Sequence, residues 1–351
     1  MTSPDLTSLC GISSDIFYIA GINTIVYGLD AVPKTSRTVS CLWLLHPRLQ
    51  TKEAMARVAS ACISNWNSHP LSVENGLIAV SFDQRNHGSR EVDPLANLSW
   101  RKGNERHAIV NEKNISFKLQ QSKYTNNHRI CSASIIHGTA VDTSLLIDHL
   151  GSYIFQEPDS PKINHHLILG VSLGGHSAWQ VLLDDSRVHS GVIIIGCPDY
   201  TSLMSDRAQR SGRESAGPNF LGSPDFPKSL MEVVQKRDPR GIFFGFQEVA
   251  LDQSDADKKK LRDVLDSKLR NKRILLCSGK NDNLVPYRCA EAFLAFLKNA
   301  STRWYSDGNF HIEDRIYPGI GHTFSDDMLR DTVQFVIDSL NEGDREIPSS
   351  F

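Results

Sequence analysis

Apolar runs that have the character of buried strands alternate with helical segments along most of this chain of 351 residues. Continuous apolar runs such as TVSCLWLLH and GLIAVSFD are typical of strands that are buried on both faces of a sheet. Segments with apolar residues at helical spacing lie between them, beginning with TKEAMARVASACISNW. Strands that alternate with helices predict right-handed crossovers, and therefore a mostly parallel sheet with helices on both faces.

The same pattern predicts the extent of the domain. The segment IFYIAGINTIVYGLD indicates an opening hairpin, which adds an antiparallel edge and brings the strand-like segments to eight. The sequence contains no internal repeat and no low-complexity linker. We therefore expect a single α/β domain over residues 1–351, built on a twisted eight-stranded sheet.

Two stretches interrupt the alternation. Residues 201–250, after the sixth strand, are dense in Pro, Gly and Ser but also contain apolar residues, so we predict a lid over a pocket. Residues 111–131 are rich in Asn, Lys and Gln, which predicts a flexible polar insertion outside the active site, or translated non-coding sequence. The candidate lid residues that would face the substrate are Met204, Phe220, Phe226, Phe243, Phe244 and Phe246.

Composition excludes several classes of partner. A formal net charge of -2 gives no basic footprint for nucleic acid. No apolar run is long enough to span a bilayer, and the N-terminus lacks a secretory signal, so we expect a cytoplasmic protein. The seven cysteines are dispersed without a C-x-x-C pair, and no phosphate- or dinucleotide-binding loop is present. We expect no metal and no cofactor, only a small-molecule substrate, and the oligomeric state stays open.

The hexapeptide GVSLGG, residues 170–175, joins the strand HHLILG to the helix GGHSAWQVLL. A serine on such a turn stands above the carboxyl ends of the strands, provided that the flanking positions are tiny enough for the turn to close. Gly170 and Gly174 meet this condition, and the amide of Leu173 lies at a helix N-terminus, where it can stabilise an oxyanion. Ser172 is therefore a candidate nucleophile.

A serine hydroxyl needs a base and an orienting carboxylate. Asp282 follows the strand RILLCSG, and His322 lies in a glycine-flanked loop after the strand FHIEDRIYP. Asp282 is the candidate acid, although it could instead cap a turn, and Asp199 in GCPDY is the alternative acid. His322 is the candidate base, because the other histidines, among them His176 and His87, fit packing or turn-stabilising roles better.

With these motifs, the chain resembles the α/β-hydrolase fold superfamily over nearly its whole length. The resemblance is based on GVSLGG, GKNDNLVP, GIGHTF and DQRNHGSR, and on the order Ser172, Asp282, His322. LWLLHPRLQ together with SFDQRNHGSR also resembles a group of fungal α/β-hydrolases.

The resemblance implies a second oxyanion amide from the loop after the third strand, where the family often has His-Gly. This chain has LLHPRLQ there, and Pro47 has no N–H to donate. By position the donor would be the Arg48 amide, with Leu49 as the alternative. The Arg48 guanidinium could also meet an anionic substrate group, although an arginine in a loop is usually only solvated.

These patterns predict a serine hydrolase that cleaves a carboxylic ester or thioester of a small to medium apolar molecule through an acyl-enzyme. The alternative is an enzyme of secondary metabolism that uses the same triad as a lyase, cyclase or C–C hydrolase. A ligand-binding receptor that keeps the fold is the non-enzymatic alternative. No pattern in the sequence specifies the substrate or its acyl chain length.

Overall fold

The computed structural model describes residues 11–104 and 132–343, and its sheet has eight strands. In chain order the strands are Ser14–Ile19 (β1), Ile22–Tyr27 (β2), Thr38–Leu45 (β3), Asn75–Phe82 (β4), Lys162–Val171 (β5), Val188–Ile194 (β6), Arg273–Gly279 (β7) and His311–Tyr317 (β8).

The strands lie in the order β1-β2-β4-β3-β5-β6-β7-β8. The hairpin β1–β2 and the contact between β2 and β4 are antiparallel, whereas every other pair in the sheet is parallel. All eight residues of β4 are buried, as expected for a strand with both faces covered. The prediction of an eight-stranded, mostly parallel sheet with an antiparallel edge is confirmed.

Helices connect the parallel strands. The helices of the described residues are Ala56–Asn67 (α1), Ser132–Ile154 (α2), Leu173–Asp184 (α3), Tyr200–Arg210 (α4), Lys228–Arg237 (α5), Pro239–Phe244 (α6), Asp255–Lys268 (α7), Glu291–Asn299 (α8) and Asp326–Gly343 (α9).

The sheet separates two apolar cores, because successive side chains of a strand point to opposite faces. Along β3, Trp43 belongs to one core and Leu42 to the other. The first core is closed by residues of α2, α3, α7 and α8, and the second by residues of α1 and α9. The predicted covering of both faces is therefore present.

The predicted lid segment 201–250 contains most of α4 and all of α5 and α6. Its apolar side chains are packed into the first core rather than left open. The rings of Phe220 and Phe226 pack at a tilt with centroids 5.2 Å apart, and Phe244 packs edge-on against Phe296 of α8 at 4.9 Å. The segment is thus attached to the body of the domain through its aromatic residues.

The predicted polar insertion at residues 111–131 lies outside the described residues. Among the helices of the described residues, none combines the length and apolar character needed to cross a membrane. Five cysteines of the described part of the chain are buried free thiols: Cys41, Cys62, Cys197, Cys277 and Cys289.

Candidate active site

Ser172 stands at the turn between β5 and α3. Its backbone has φ 54° and ψ −110°, a conformation that side-chain-bearing residues rarely adopt and that costs about 1–3 kcal/mol. The surrounding backbone holds it there, since the Ser172 amide donates to the carbonyl of Ile194 at 2.9 Å and its carbonyl accepts from His176 N at 3.1 Å. The serine is therefore fixed at the carboxyl edge of the sheet by main-chain bonds.

The glycines beside Ser172 allow this turn to close. A Cβ atom at Gly170 would lie 2.0 Å from the carbonyl oxygen of Gly174, and a Cβ at Gly174 would lie 2.1 Å from the carbonyl oxygen of Leu45. Both distances are far below van der Waals contact, and both obstacles are backbone atoms that no rotamer change can move. The steric requirement inferred from GVSLGG is therefore a property of the folded turn.

A continuous hydrogen-bonded chain joins three of the predicted residues. Ser172 Oγ lies 2.8 Å from His322 Nε2, and His322 Nδ1 lies 2.7 Å from Asp282 Oδ2. Because a carboxylate only accepts, Nδ1 holds the proton and donates to Asp282, which leaves Nε2 free to accept the serine hydroxyl. This is the arrangement in which an imidazole can remove the serine proton.

Asp282 is held by the loop after β7. Its Oδ1 accepts from the amides of Leu284 at 2.8 Å and Val285 at 2.9 Å, while Oδ2 faces His322. The Asp282 side chain is only 1% exposed, and each of its carboxylate oxygens accepts a hydrogen bond from the protein. The turn-capping role considered from the sequence and the orienting role are thus performed by different oxygens of one side chain.

The alternative acid, Asp199, occupies a different position. It begins α4 and accepts from the amide of Ser202 at 2.8 Å, and its Oδ2 lies 3.6 Å from Arg240 Nε. Burial raises the pKa of this carboxyl above its ordinary value. In the described part of the chain it is Asp282, and not Asp199, that contacts His322.

The two other histidines considered from the sequence are held by backbone groups. His176 Nδ1 lies 3.0 Å from the carbonyl oxygen and 3.1 Å from the amide nitrogen of Cys197. His87 Nδ1 lies 3.0 Å from the carbonyl oxygen of Arg85 within its own turn. Burial lowers the pKa of both imidazoles, and that of His176 falls to about 4.

The amides of Leu173 and Arg48 are available as oxyanion donors. Both residues line the cavity into which Ser172 and His322 open. Within the described residues, neither amide donates to a carbonyl or a side chain. The alternative donor, Leu49, has φ 64° and is 52% exposed, so the strained backbone of this loop turns its side chain to solvent.

His46 orients the Arg48 amide, a role that sequence reasoning missed. His46 is fully buried, its Nε2 accepts from the amide of Gln84 at 3.0 Å, and its Nδ1 therefore donates to the carbonyl of Pro47 at 2.8 Å. That carbonyl and the Arg48 N–H belong to one planar peptide group and point in opposite directions. Together with the bond that the Gln50 amide donates to the same carbonyl at 3.3 Å, the bond from His46 sets the direction of the Arg48 N–H.

Burial lowers the pKa of His46 to about 4, so its imidazole is neutral at pH 7. The Gln84 side chain also donates to the carbonyl of His46, which fixes this loop to the end of β4. The sequence signal was the placement of His46 directly between a buried strand and Pro47.

The cavity at Ser172 is small, about 30 Å³, which is the space of roughly two water molecules. Its lining residues are Arg48, Ser132, Ile136, Ser172, Leu173, His176, Tyr200, Arg207, Leu284 and His322. Both α2 and α4 contribute, and Tyr200 OH is bonded to Ser132 Oγ at 2.6 Å.

The predicted lid residues are not among those that line this cavity, which corrects the prediction about them. Those that are nearly inaccessible pack with one another or against α8, since apolar rings gain more from the core than from a small polar cavity. The residues corrected are Met204, Phe220, Phe226, Phe243, Phe244 and Phe246. Tyr200 and Arg207 face the serine instead, and the amphipathic sequence of α4 gave no signal for this.

Among the described residues, no group of three or more His, Cys, Asp or Glu side chains is placed to hold a metal ion. The arrangement at the carboxyl edge of the sheet therefore consists of a serine, an imidazole, a carboxylate and two available amides. These groups can attack a carbonyl carbon, transfer a proton and stabilise a developing negative charge.

No family model and no curated protein sequence matches the chain. Similar solved structures include an esterase of Pyrococcus furiosus, with 13% identity and a TM-score of 0.49 over 97% of this chain and 95% of that one. Est1E of Butyrivibrio proteoclasticus with bound ferulic acid has 15% identity and a TM-score of 0.45, over 95% of this chain and 100% of its own. SOBER1 of Arabidopsis thaliana has 14% identity and a TM-score of 0.43, over 86% and 99%.

Proposed function

We propose that this chain is a serine hydrolase of the α/β-hydrolase fold, and that it cleaves a carboxylic ester or thioester of a small to medium molecule. The observation on which the proposal depends is the chain of hydrogen bonds from Ser172 through His322 to Asp282, with heavy-atom distances of 2.8 and 2.7 Å. A serine that only forms part of a turn does not require this series of hydrogen bonds, whereas a serine that acts as an acyl-transfer nucleophile does.

In the first step Ser172 Oγ attacks the carbonyl carbon of the substrate, while His322 Nε2 takes the hydroxyl proton. The new Oγ–C bond and the negative charge on the carbonyl oxygen form together, and Asp282 stabilises the positive imidazolium. His322 then gives its proton to the leaving oxygen or sulfur, the bond to the leaving group breaks, and an acyl-serine remains.

The amides of Leu173 and Arg48 stabilise the oxyanion in both steps. An amide fixed in advance needs no reorganisation when the charge develops, and the loss of one such donor costs about 10²- to 10³-fold in kcat. His46 contributes indirectly, because its bond to the Pro47 carbonyl holds the peptide group to which the Arg48 N–H belongs.

Water completes the cycle. His322 removes a proton from a water molecule, the hydroxide oxygen bonds to the acyl carbon, and the Oγ–C bond breaks as the proton returns to Ser172. Ile136, Leu173 and Leu284 supply an apolar wall beside the reacting carbonyl. We propose that the segment 201–250 limits substrate size, because its Arg207 narrows the cavity together with Tyr200, which directly precedes the segment.

The test compares the wild-type chain with Ser172→Ala in labelling by a fluorophosphonate probe and in hydrolysis of p-nitrophenyl acetate, butyrate and octanoate. We expect both signals in the wild type and neither in Ser172→Ala. The exposed Ser267→Ala on α7 is the matched control and should keep both.

Labelling that persists in Ser172→Ala would assign the nucleophile to another residue. Labelling of the wild type without turnover of any ester would favour a non-hydrolytic reaction on the same triad. A wild-type chain that neither labels nor hydrolyses would refute the proposal.

A further inference from the structure

Two arginines face the cavity that contains the nucleophile. Arg48 lies in the loop after β3 and Arg207 in the middle of α4, and both line the same small space as Ser172 and His322. The described residues of this lining include no aspartate and no glutamate. Two arginines from two different elements thus border the cavity of the nucleophile.

The other arginines of the segment 201–250 behave differently. Arg210 forms an ion pair with Asp206 on the same helix, and Arg213 forms one with Asp225 at 2.7 Å. By contrast, the Arg48 guanidinium is half-buried and has no acceptor among the described residues. Arg48 is therefore an arginine of this cavity whose guanidinium can bind a ligand anion.

Two bonds of Arg207 to the described residues fix the position of its guanidinium. Its Nε and Nη2 donate to the carbonyl oxygen of Leu284 at 3.3 and 3.1 Å, in the loop that follows Asp282. A carbonyl is a neutral acceptor, so it holds the planar guanidinium in place without neutralising it. Asp282 lies two residues before Leu284, but its carboxylate is hydrogen-bonded to His322 and to the amides of Leu284 and Val285.

The positive charges of Arg48 and Arg207 also repel each other. Burial, and after it the positive charge of Arg48, lowers the pKa of Arg207 to about 10. Like charges beside one small cavity repel each other, and an anion that binds between them relieves this repulsion. Guanidinium groups recognise carboxylates in particular, because their planar donors match two carboxylate oxygens.

We propose that the substrate of this site is an ester with a second, anionic group, a carboxylate, and that Arg48 and Arg207 bind this group while Ser172 attacks the ester carbonyl. This inference rests on the proposed hydrolase function and narrows it to acidic esters. The carboxylate is bound and left unchanged by the reaction. The small cavity favours a link of only a few atoms between the carboxylate and the reacting carbonyl.

The test uses pairs of esters that differ only in the anionic group. Monoethyl glutarate against ethyl pentanoate places the carboxylate on the acyl side, and acetoxybutanoate against butyl acetate places it on the alcohol side. The quantity compared is the ratio of kcat/KM for the anionic ester to that for its neutral partner, measured by proton release. We expect a ratio well above one for the wild type with at least one pair.

Arg207→Gln and Arg48→Gln should each lower this ratio about 10- to 100-fold, the usual effect of losing a charge-assisted hydrogen bond. Arg207→Lys should keep part of it, because the charge remains without the planar pair of donors. The matched control is Arg303→Gln, which removes an exposed arginine away from the cavity and should leave the ratio unchanged. Using a ratio cancels any effect of the Arg48 substitution on the oxyanion amide.

The inference is overturned if the wild type hydrolyses the neutral esters at least as well as the anionic ones and the arginine variants do not change the ratio. The hydrolase proposal would survive that result. If the wild type hydrolyses no ester, the hydrolase proposal fails instead, and calorimetric titration with monoethyl glutarate decides the inference alone. Binding that is lost in Arg207→Gln but kept in Arg303→Gln supports the anion site, and no binding to the wild type refutes it.

Discussion

Among the described residues, histidines lie beside a cavity at both the amino and the carboxyl ends of the parallel strands, called here the amino edge and the carboxyl edge, but a histidine is hydrogen-bonded to the candidate nucleophile at the carboxyl edge alone. At the amino edge a cavity of about 680 Å³ is lined by His165, His166, His189 and His311. At the carboxyl edge the cavity is only about 30 Å³, yet His322 lies there between a serine and a carboxylate. The size of a cavity is therefore a poorer guide to chemistry than a hydrogen-bonded chain of suitable groups.

The direction of the strands explains the difference. At the carboxyl edge each parallel strand leads into a helix N-terminus or a tight loop, where backbone N–H groups point outward and can bind negative charge. At the amino edge helices end, and their free carbonyls need donors instead. The buried Lys272 supplies one, since its Nζ donates to the carbonyl of Asp185 at 3.0 Å, just after α3.

The largest effect should come from removing the proposed base. His322→Ala should lower kcat for ester hydrolysis by about 10⁴- to 10⁶-fold, because the serine hydroxyl then has no proton acceptor. His311→Gln at the amino edge, an exposed histidine that faces Glu313, should change kcat less than twofold. Equal losses in the two variants would contradict the contrast between the edges.

The next largest difference in kcat is expected between variants of the two candidate acids, Asp282 and Asp199. Asp282→Asn should lower kcat about 10⁴-fold, because an amide favours the wrong imidazole tautomer and stabilises the imidazolium less. Asp199→Asn should leave kcat within about tenfold and cost at most ~1 kcal/mol of stability, since asparagine also caps helices well. A larger loss of kcat in Asp199→Asn than in Asp282→Asn would show that the acid is drawn from the loop after β6. Steady-state kinetics with thermal unfolding of both variants measures this.

A smaller effect is expected from the residue that orients the Arg48 amide. His46→Ala should lower kcat about 10- to 100-fold, within the range known for weakened oxyanion donors, because the Pro47 carbonyl loses the shorter of its two hydrogen bonds and keeps that from the Gln50 amide at 3.3 Å. KM should change less than kcat, since the oxyanion exists only in the transition state. Unchanged labelling by a fluorophosphonate together with unchanged kcat would show that the Arg48 peptide group is held without His46.

The smallest effect concerns the pH dependence of folding stability, which should be the same for a buried histidine at either edge. Burial lowers the pKa of His166 at the amino edge and of His176 at the carboxyl edge to about 4. Between pH 7 and 5 the unfolded chain, with an ordinary imidazole pKa near 6.5, binds protons that the folded chain does not, so stability falls as pH falls. Each group should account for about 2 kcal/mol of this loss.

Urea unfolding at pH 7 and pH 5 measures that loss for the wild type, His166→Gln and His176→Gln. Each variant should lose less stability on acidification than the wild type, by about the same amount for the two. A variant with the wild-type pH dependence would show that its imidazole accepts a proton within the folded chain.

The sequence predicted more of the fold than of the cavity. Strand and helix periodicity indicated the eight strands and the order in which Ser172, Asp282 and His322 follow them, because these depend on local patterns and on the handedness of crossovers. The role of His46 was missed, because it depends on a bond to the neighbouring strand's end, at Gln84.

The glycine at position 170 follows from the sequence of the turn alone, because a Cβ at Gly170 would meet the carbonyl oxygen of Gly174 within GVSLGG. At Gly174 the obstacle is the carbonyl oxygen of Leu45 on β3, so that requirement comes from the tertiary structure. The lining of the cavity was decided only by the tertiary structure. An aromatic residue in the segment 201–250 can pack on α8 or face a substrate, and its local sequence is the same in both cases. Packing in three dimensions placed the phenylalanines in or against the core and brought Arg207 to the cavity of Ser172, because the burial of apolar area is a property of the whole fold.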